Sequence, residues 1–119
     1  QIGDTKRATK EMEKALALYE DAYGQWRTFF ELWRFSFLDE DSNNAKKYAE
    51  KLVKLQPEYP QSYIGYLATF ENGNNIKSMK VKLMELLPNF SPAMIKNFHS
   101  WIREDQADKI IESLRRHIK

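Results

Sequence analysis

Apolar residues recur along most of this chain with the spacing of an α-helix. Between positions 45 and 53 they follow an i, i+3, i+4, i+7, i+8 pattern, with lysine and glutamate at the positions between them: Ala45, Tyr48, Ala49, Leu52 and Val53. The same spacing returns near the C-terminus at Ala107, Ile110, Ile111, Leu114 and Ile118. The pattern predicts amphipathic helices, each burying one face, and no segment is predicted to be a strand.

Proline, glycine and short polar residues predict where these helices begin and end. Pro57 and Pro88 each close a helix, Pro60 and Pro92 suit the first turn of the next, and residues 39–42 form a polar turn that leads to a helix start. We therefore expect about seven helices, near 5–20, 22–38, 43–56, 60–72, 75–87, 91–101 and 105–118.

Internal repetition organises these helices. A shift of 31 residues places 43–46 on 74–77, Leu52 on Leu83 and Pro57 on Pro88, and a fainter copy lies 37 residues upstream. Periods in the thirties are typical of helical hairpins that stack, because a single hairpin cannot bury both of its faces. The sequence thus predicts one all-α domain over 1–119, built as a right-handed superhelix of stacked helical hairpins.

At the level of single residues the repeat resembles the tetratricopeptide family. That family has large aromatic residues in the first helix, small residues where the helices cross and a proline after the second helix. Here the corresponding places are Tyr63, Tyr66 and Phe70, then Ile76, Leu83 and Pro88. The pattern departs from the family at Leu67 and Leu83, where a glycine and an alanine are usual.

The C-terminal part, from the Leu87–Ser91 segment to the Ser113–Arg115 segment, resembles tetratricopeptide-like domains that follow bacterial class III adenylate cyclases and winged-helix transcription regulators. This resemblance implies an accessory, regulatory domain of a signalling protein. The chain begins with Gln1 and not Met, so we expect it to be a piece of a longer protein.

Composition narrows the function classes. The 119 residues contain no cysteine, carry a net charge of +2, and include no apolar run of the ~20 residues that a membrane span requires. We therefore expect a cytoplasmic protein with no membrane partner, and nucleic acid is not the expected partner of so balanced a charge.

Catalytic patterns are absent from the sequence. There is no glycine-rich phosphate loop, no Gly-x-Ser-x-Gly turn and no His-Glu-x-x-His pair, and His99 and His117 fall on different predicted helices. The acidic residues at 39–41 and 104–108 stand beside predicted helix starts, where the helix dipole favours them. We expect a non-enzyme without a metal or cofactor.

The candidate partner surface lies on the helix 22–38. Its aromatic stripe, formed by Trp26, Phe29, Phe30, Trp33 and Phe37, is predicted to be core. Phe35 falls on the other side among polar residues, so we expect Phe35 as an apolar anchor with Arg27, Glu31 and Arg34 as its rim on the concave surface. Lys96 and His99, from a later first helix, are the further candidates for that surface.

The function expected from this surface is protein interaction or oligomerisation, and two other functions remain open. A gap between hairpins could hold a small ligand that controls an attached effector, which would make the chain a sensory domain. RNA binding is the less expected alternative, based on a faint resemblance of Trp26, Trp33, Tyr63 and Phe70 to half-a-tetratricopeptide repeats. The lysines of the second helices, which give segment 42–96 a net charge of +4, are interpreted as a solvated face.

Overall fold

The computed structural model describes residues 7, 10, 22–97 and 102–118, and all regular structure in these residues is helical. From residue 22 onward, the described part of the chain contains five α-helices, with a 3₁₀ helix at Pro92–Asn97 between the last two. They are α1 Ala22–Leu38, α2 Ser42–Leu55, α3 Pro60–Thr69, α4 Ile76–Leu86 and α5 Glu104–Leu114. Arg7 and Lys10 are helical as well; the rest of the predicted helix 5–20 lies outside the described residues. The all-α prediction is confirmed for this part of the chain.

Local signals explain several of the helix boundaries. Asp41 caps α2 by accepting a hydrogen bond from the backbone N–H of Asn44 at 3.3 Å, and Pro60 occupies the first turn of α3. Helix α3 ends at Thr69, earlier than the predicted residue 72, because Phe70 adopts an extended backbone while its N–H bonds to Tyr66 O at 3.0 Å.

The segment 91–101, predicted to be a helix, contains only a six-residue 3₁₀ helix within its described part. Its first turn is closed by the N–H of Met94 bonding to Ser91 O at 3.0 Å, three residues earlier, as 3₁₀ geometry requires. Residues 98–101 lie outside the described residues.

Helices α1 to α4 form two consecutive hairpins. Helix α2 packs on both α1 and α3, and α4 packs on α3. Gly65 in the middle of α3 faces both helices of the first hairpin: a Cβ at this position would lie 3.0 Å from Leu52 Cδ1 and 3.5 Å from the Trp33 indole. A side chain at this position would require the Leu52 side chain to shift.

Two tryptophan–hydroxyl bonds, one buried and one partly buried, join α1 to α3. Trp26 Nε1 donates to Ser62 Oγ at 2.8 Å, and Trp33 Nε1 donates to Thr69 Oγ1 at 2.6 Å. Both pairs are separated by 36 residues, so the two helices run parallel and in register over two turns. The first helix of one hairpin therefore lies beside the first helix of the next.

The core follows the predicted apolar stripes. In α2 the buried residues are Ala45, Tyr48, Ala49 and Leu52, and in α1 they include Trp26, Phe30 and Trp33, with Phe29 and Phe37 partly buried against them. The aromatic stripe is thus core, as the sequence predicts.

Helix α5 adds its apolar face to this core. It packs on the 3₁₀ helix and on α3, and buries Ala107, Ile110, Ile111 and Leu114. Neither the 3₁₀ helix nor α5 packs extensively on α4 in the described part of the chain.

Candidate functional site

A cleft opens beside α1 where α3 begins. It has a volume of about 410 Å³ and is lined by Tyr23, Trp26, Arg27, Phe30, Glu31, Tyr59 and Gln61. Its wall is aromatic: the Tyr23 and Trp26 rings stack with centroids 6.4 Å apart, and Tyr59 meets Trp26 edge-on at 5.2 Å. Tyr23 is 51% exposed, which is unusual for so large a ring and offers apolar area to a partner.

Two of the predicted site residues, Arg27 and Glu31, line this cleft. Arg27 is exposed, and its guanidinium makes no ion pair with another described residue. Glu31 is half-buried and pairs with Arg34, one turn further along α1. The cleft therefore presents the unpaired guanidinium of Arg27 beside the Glu31 carboxylate, whose charge Arg34 neutralises.

Arg34 and Phe35 continue the same face of α1. The Arg34 side chain is only 13% exposed: Nη1 donates to Gln106 Oε1 of α5 at 2.8 Å, and Nη2 pairs with Glu31. Its guanidinium carbon lies 5.2 Å from the centre of the half-buried Phe35 ring. These donors of Arg34 are thus occupied within the monomer, whereas Arg27 and Phe35 keep surface that a partner could contact.

Lys96 lies apart from this cleft. Its Nζ is 3.3 Å from Asp108 Oδ1, an exposed pair that lines a separate groove of about 340 Å³ between the 3₁₀ helix and α5. His99 lies outside the described residues. The structure therefore places four predicted site residues on one face of α1 and Lys96 in another groove.

The sequence does not indicate that side chains of α5 and the residues after it contact the C-terminal ends of α1 and α3. Neither α1 nor α3 has a basic residue in its last turn, and α5 with the residues after it supplies cations to their C-terminal carbonyls. Lys109 Nζ donates to Leu38 O at 3.2 Å, and Arg116 Nη2 donates to Ala68 O at 2.9 Å. His117 Nε2 lies 2.7 Å from Phe70 O. These partners are 47 to 71 residues apart, so no local pattern could have indicated them.

A second, polar cavity of about 310 Å³ lies at these helix ends. Its lining includes two cations, Lys109 and Arg116, and three carboxylates from Glu40, Asp41 and Glu71. Ser36, which is 2% exposed, also lines it, and no hydrogen bond joins its side chain to another described residue. Lys109 pairs with Glu40 at 3.6 Å and Arg116 with Glu71 at 3.0 Å, so the cavity offers a small polar molecule two ion pairs and the Ser36 hydroxyl.

The titratable groups of the described residues show one resolved perturbation. Burial raises the pKa of Tyr63 above its ordinary value, the positive charge of Lys82 acts to lower it and the negative charge of Glu58 to raise it. The Tyr63 hydroxyl donates to Pro57 O at 2.5 Å and holds the turn between α2 and α3. No group of three or more His, Asp or Glu side chains within the described residues is placed to hold a metal ion.

Comparisons with protein-family models, curated proteins and solved structures found no match to this chain. Among the described residues, no helix has the length and apolar character needed to cross a bilayer.

Proposed function

We propose that this chain is a non-catalytic protein-interaction or oligomerisation module, the accessory domain of a bacterial signalling or transcription-regulatory protein. The observation that carries the proposal is the cleft beside α1, where an aromatic wall containing the half-exposed Tyr23 meets the unneutralised charge of Arg27. Tyrosine, tryptophan and arginine are enriched among the few residues that contribute most to binding at protein interfaces. In this proposal Phe35 is the apolar anchor one turn beyond Glu31, with Arg27 and Glu31 as its polar rim.

We further propose that the hairpins form the right-handed superhelix typical of tetratricopeptide repeats. The parallel packing of α1 and α3, with its 36-residue offset, supports this architecture because equivalent helices of successive repeats lie side by side in such stacks. In this architecture Arg34 stabilises the packing of the helices, because its hydrogen bond to Gln106 joins the first hairpin to α5.

Peptide selection tests the face of α1 that carries the cleft and Phe35. A random peptide library is selected on the wild-type domain, and the affinities of the recovered peptides are measured for Arg27→Glu and Phe35→Ala. Each substitution should weaken binding roughly tenfold, about 1.4 kcal/mol, with helicity unchanged. Lys51→Glu, on the exposed face of α2, is the matched control.

Self-association is measured in parallel by sedimentation of the wild type and the same variants between about 5 and 500 µM. A loss of oligomer in Arg27→Glu and Phe35→Ala would assign this face of α1 to self-assembly. Selected peptides that bind all variants equally, together with an unchanged monomer, would refute the proposal.

A second candidate function, sensing of a small polar ligand, is favoured by the cavity around Ser36. Thermal-shift measurements with a metabolite library should then find a ligand whose stabilisation disappears in Ser36→Ala, whereas Ser78→Ala, an exposed serine on α4, keeps it. Equal stabilisation of both variants would exclude this cavity as the site.

A further inference from the structure

Within the described residues, no helix covers one side of α4. Leu83 is its single buried residue, whereas α3 has seven. Val81 is 50% exposed, and it lines a shallow groove of about 460 Å³ with Lys77, Lys80, Met84 and Glu85. These five residues, spaced i, i+3, i+4, i+7 and i+8 along two turns, are called the α4 face.

The internal repeat shows what this face lacks. The 31-residue shift places Ala49 of α2 on Lys80 and Val53 on Met84. Ala49 is fully buried in a helix that lies between α1 and α3. The next hairpin does not cover α4 in the same way, because α5 packs on α3 instead. Among the described residues, the α4 face thus differs from α2 at Lys80 and Met84, whereas its other three positions fall on Lys46, Glu50 and Lys54, which are exposed in α2 as well.

The charges on this face indicate the character of a partner that would fit it. Lys77 and Lys80 are exposed and form no ion pair with another described residue, and Glu85 is the single acid in the groove. Lysines that flank an apolar seam between helices pair with carboxylates of the facing helix, while their stems cover apolar surface. A basic or neutral helix would leave these two charges unpaired at the contact.

We propose that the α4 face docks an acidic amphipathic helix of a partner protein. The apolar stripe of that helix covers Val81 and Met84, and its carboxylates pair with Lys77 and Lys80. The shape favours a helix over an anionic membrane, because two half-exposed side chains in a groove give little area for insertion into a bilayer. The α4 face shares no residue with the cleft beside α1, so this docking is independent of the proposed function.

A designed peptide tests the proposal. The probe is a fluorescent helix of about 18 residues with leucine at a and d heptad positions and glutamate beside them, followed by anisotropy at about 50 and 150 mM NaCl. A scrambled peptide of the same composition has the same charge without the apolar stripe. Vesicles of phosphatidylcholine and phosphatidylserine, roughly 4:1, are the membrane arm.

The wild-type domain should bind the helical peptide at least about tenfold more tightly than the scrambled one. Lys77→Glu/Lys80→Glu should weaken binding about tenfold or more, and Val81→Ser about three- to tenfold. Lys51→Glu/Lys54→Glu, the same charge reversal on the exposed face of α2, should change it less than about twofold. Amide shift changes in the complex should concentrate on 76–86.

Three results would overturn the proposal. They are equal binding of the two peptides, equal weakening by the α2 and α4 charge reversals, and binding to the vesicles without binding to the helical peptide. Far-UV circular dichroism of each variant shows that the fold is retained. Val81→Ser, which changes no charge, separates apolar docking from unspecific attraction to lysine.

Discussion

The buried bond between Trp26 and Ser62 allows a sharp test of the packing of α1 against α3. Ser62 is completely buried and its Oγ has two partners: it accepts from Trp26 Nε1 at 2.8 Å and donates to Gln56 O at 2.9 Å. Gln56 O keeps a second donor, the N–H of Tyr59 at 3.2 Å, when Ser62 is replaced. The main consequence of Ser62→Ala is therefore that the indole N–H of Trp26 loses its acceptor. Trp26 is only 7% exposed, so water does not replace that acceptor freely.

The expected destabilisation follows from that orphaned donor. A buried donor left without a partner costs about 1–3 kcal/mol. For a domain of this size, each kcal/mol lowers the melting temperature by roughly 4 °C, so Ser62→Ala should melt about 4–12 °C below the wild type. In the Trp26→Phe background no donor remains, and Ser62→Ala should then cost about 1–2 kcal/mol less.

Urea unfolding followed by far-UV circular dichroism measures all four proteins of this cycle. Ser78→Ala is the control, because Ser78 Oγ bonds Asn75 O at 3.0 Å on the exposed surface, and it should cost under about 0.5 kcal/mol. If Ser62→Ala costs no more than Ser78→Ala, or if the cycle is additive, the indole–hydroxyl bond does not hold α1 against α3.

Three further predictions concern other contacts of the core. Gly65→Ala should destabilise the wild type, because overlap of the new Cβ with Leu52 Cδ1 at 3.0 Å should outweigh the gain of about 1 kcal/mol in helix propensity. A Leu52→Val background lacks that atom, and there urea unfolding should show that Gly65→Ala is stabilising. Lys109→Met should cost about 0.5–1.5 kcal/mol in the same assay through the loss of the bond to Leu38 O, and a cost equal to that of the exposed Lys51→Met would contradict this. Because folding raises the pKa of Tyr63, the neutral hydroxyl favours the folded state fully below pH ~10, and this contribution is lost as the pH rises through the folded pKa. Between about pH 9 and 11, the urea midpoint of Tyr63→Phe should therefore fall less steeply with pH than that of the wild type.

Predictions about single helices held where the signal is local. Helix α1 was predicted at 22–38 and spans Ala22–Leu38, and α2 begins after the cap that residues 39–42 indicate. The buried positions of α2 were predicted from spacing alone, since residues three and four apart share one helix face wherever that helix packs. The 3₁₀ helix was missed because a proline at the first turn fits either helix type.

The candidate site was predicted only in part. Arg27, Glu31, Arg34 and Phe35 were placed on one face of α1 by helical spacing, and the structure keeps them there. It also directs Arg34 to Gln106, 72 residues away, and pairs Lys96 with Asp108 in a different groove. Spacing shows which side chains share a face but not what that face meets.

Capping and apolar periodicity act within a few residues, so they predict the helical class, most helix bounds and the apolar stripe of each helix. Only the packed fold shows that Trp26 and Trp33 find hydroxyls 36 residues away. It also shows that Lys109 of α5 and Arg116, just after α5, bind the ends of α1 and α3, and that one face of α4 stays exposed in the described part of the chain. Those contacts join residues far apart in the chain, and the choice among many compatible apolar faces is made by packing all of the helices at once.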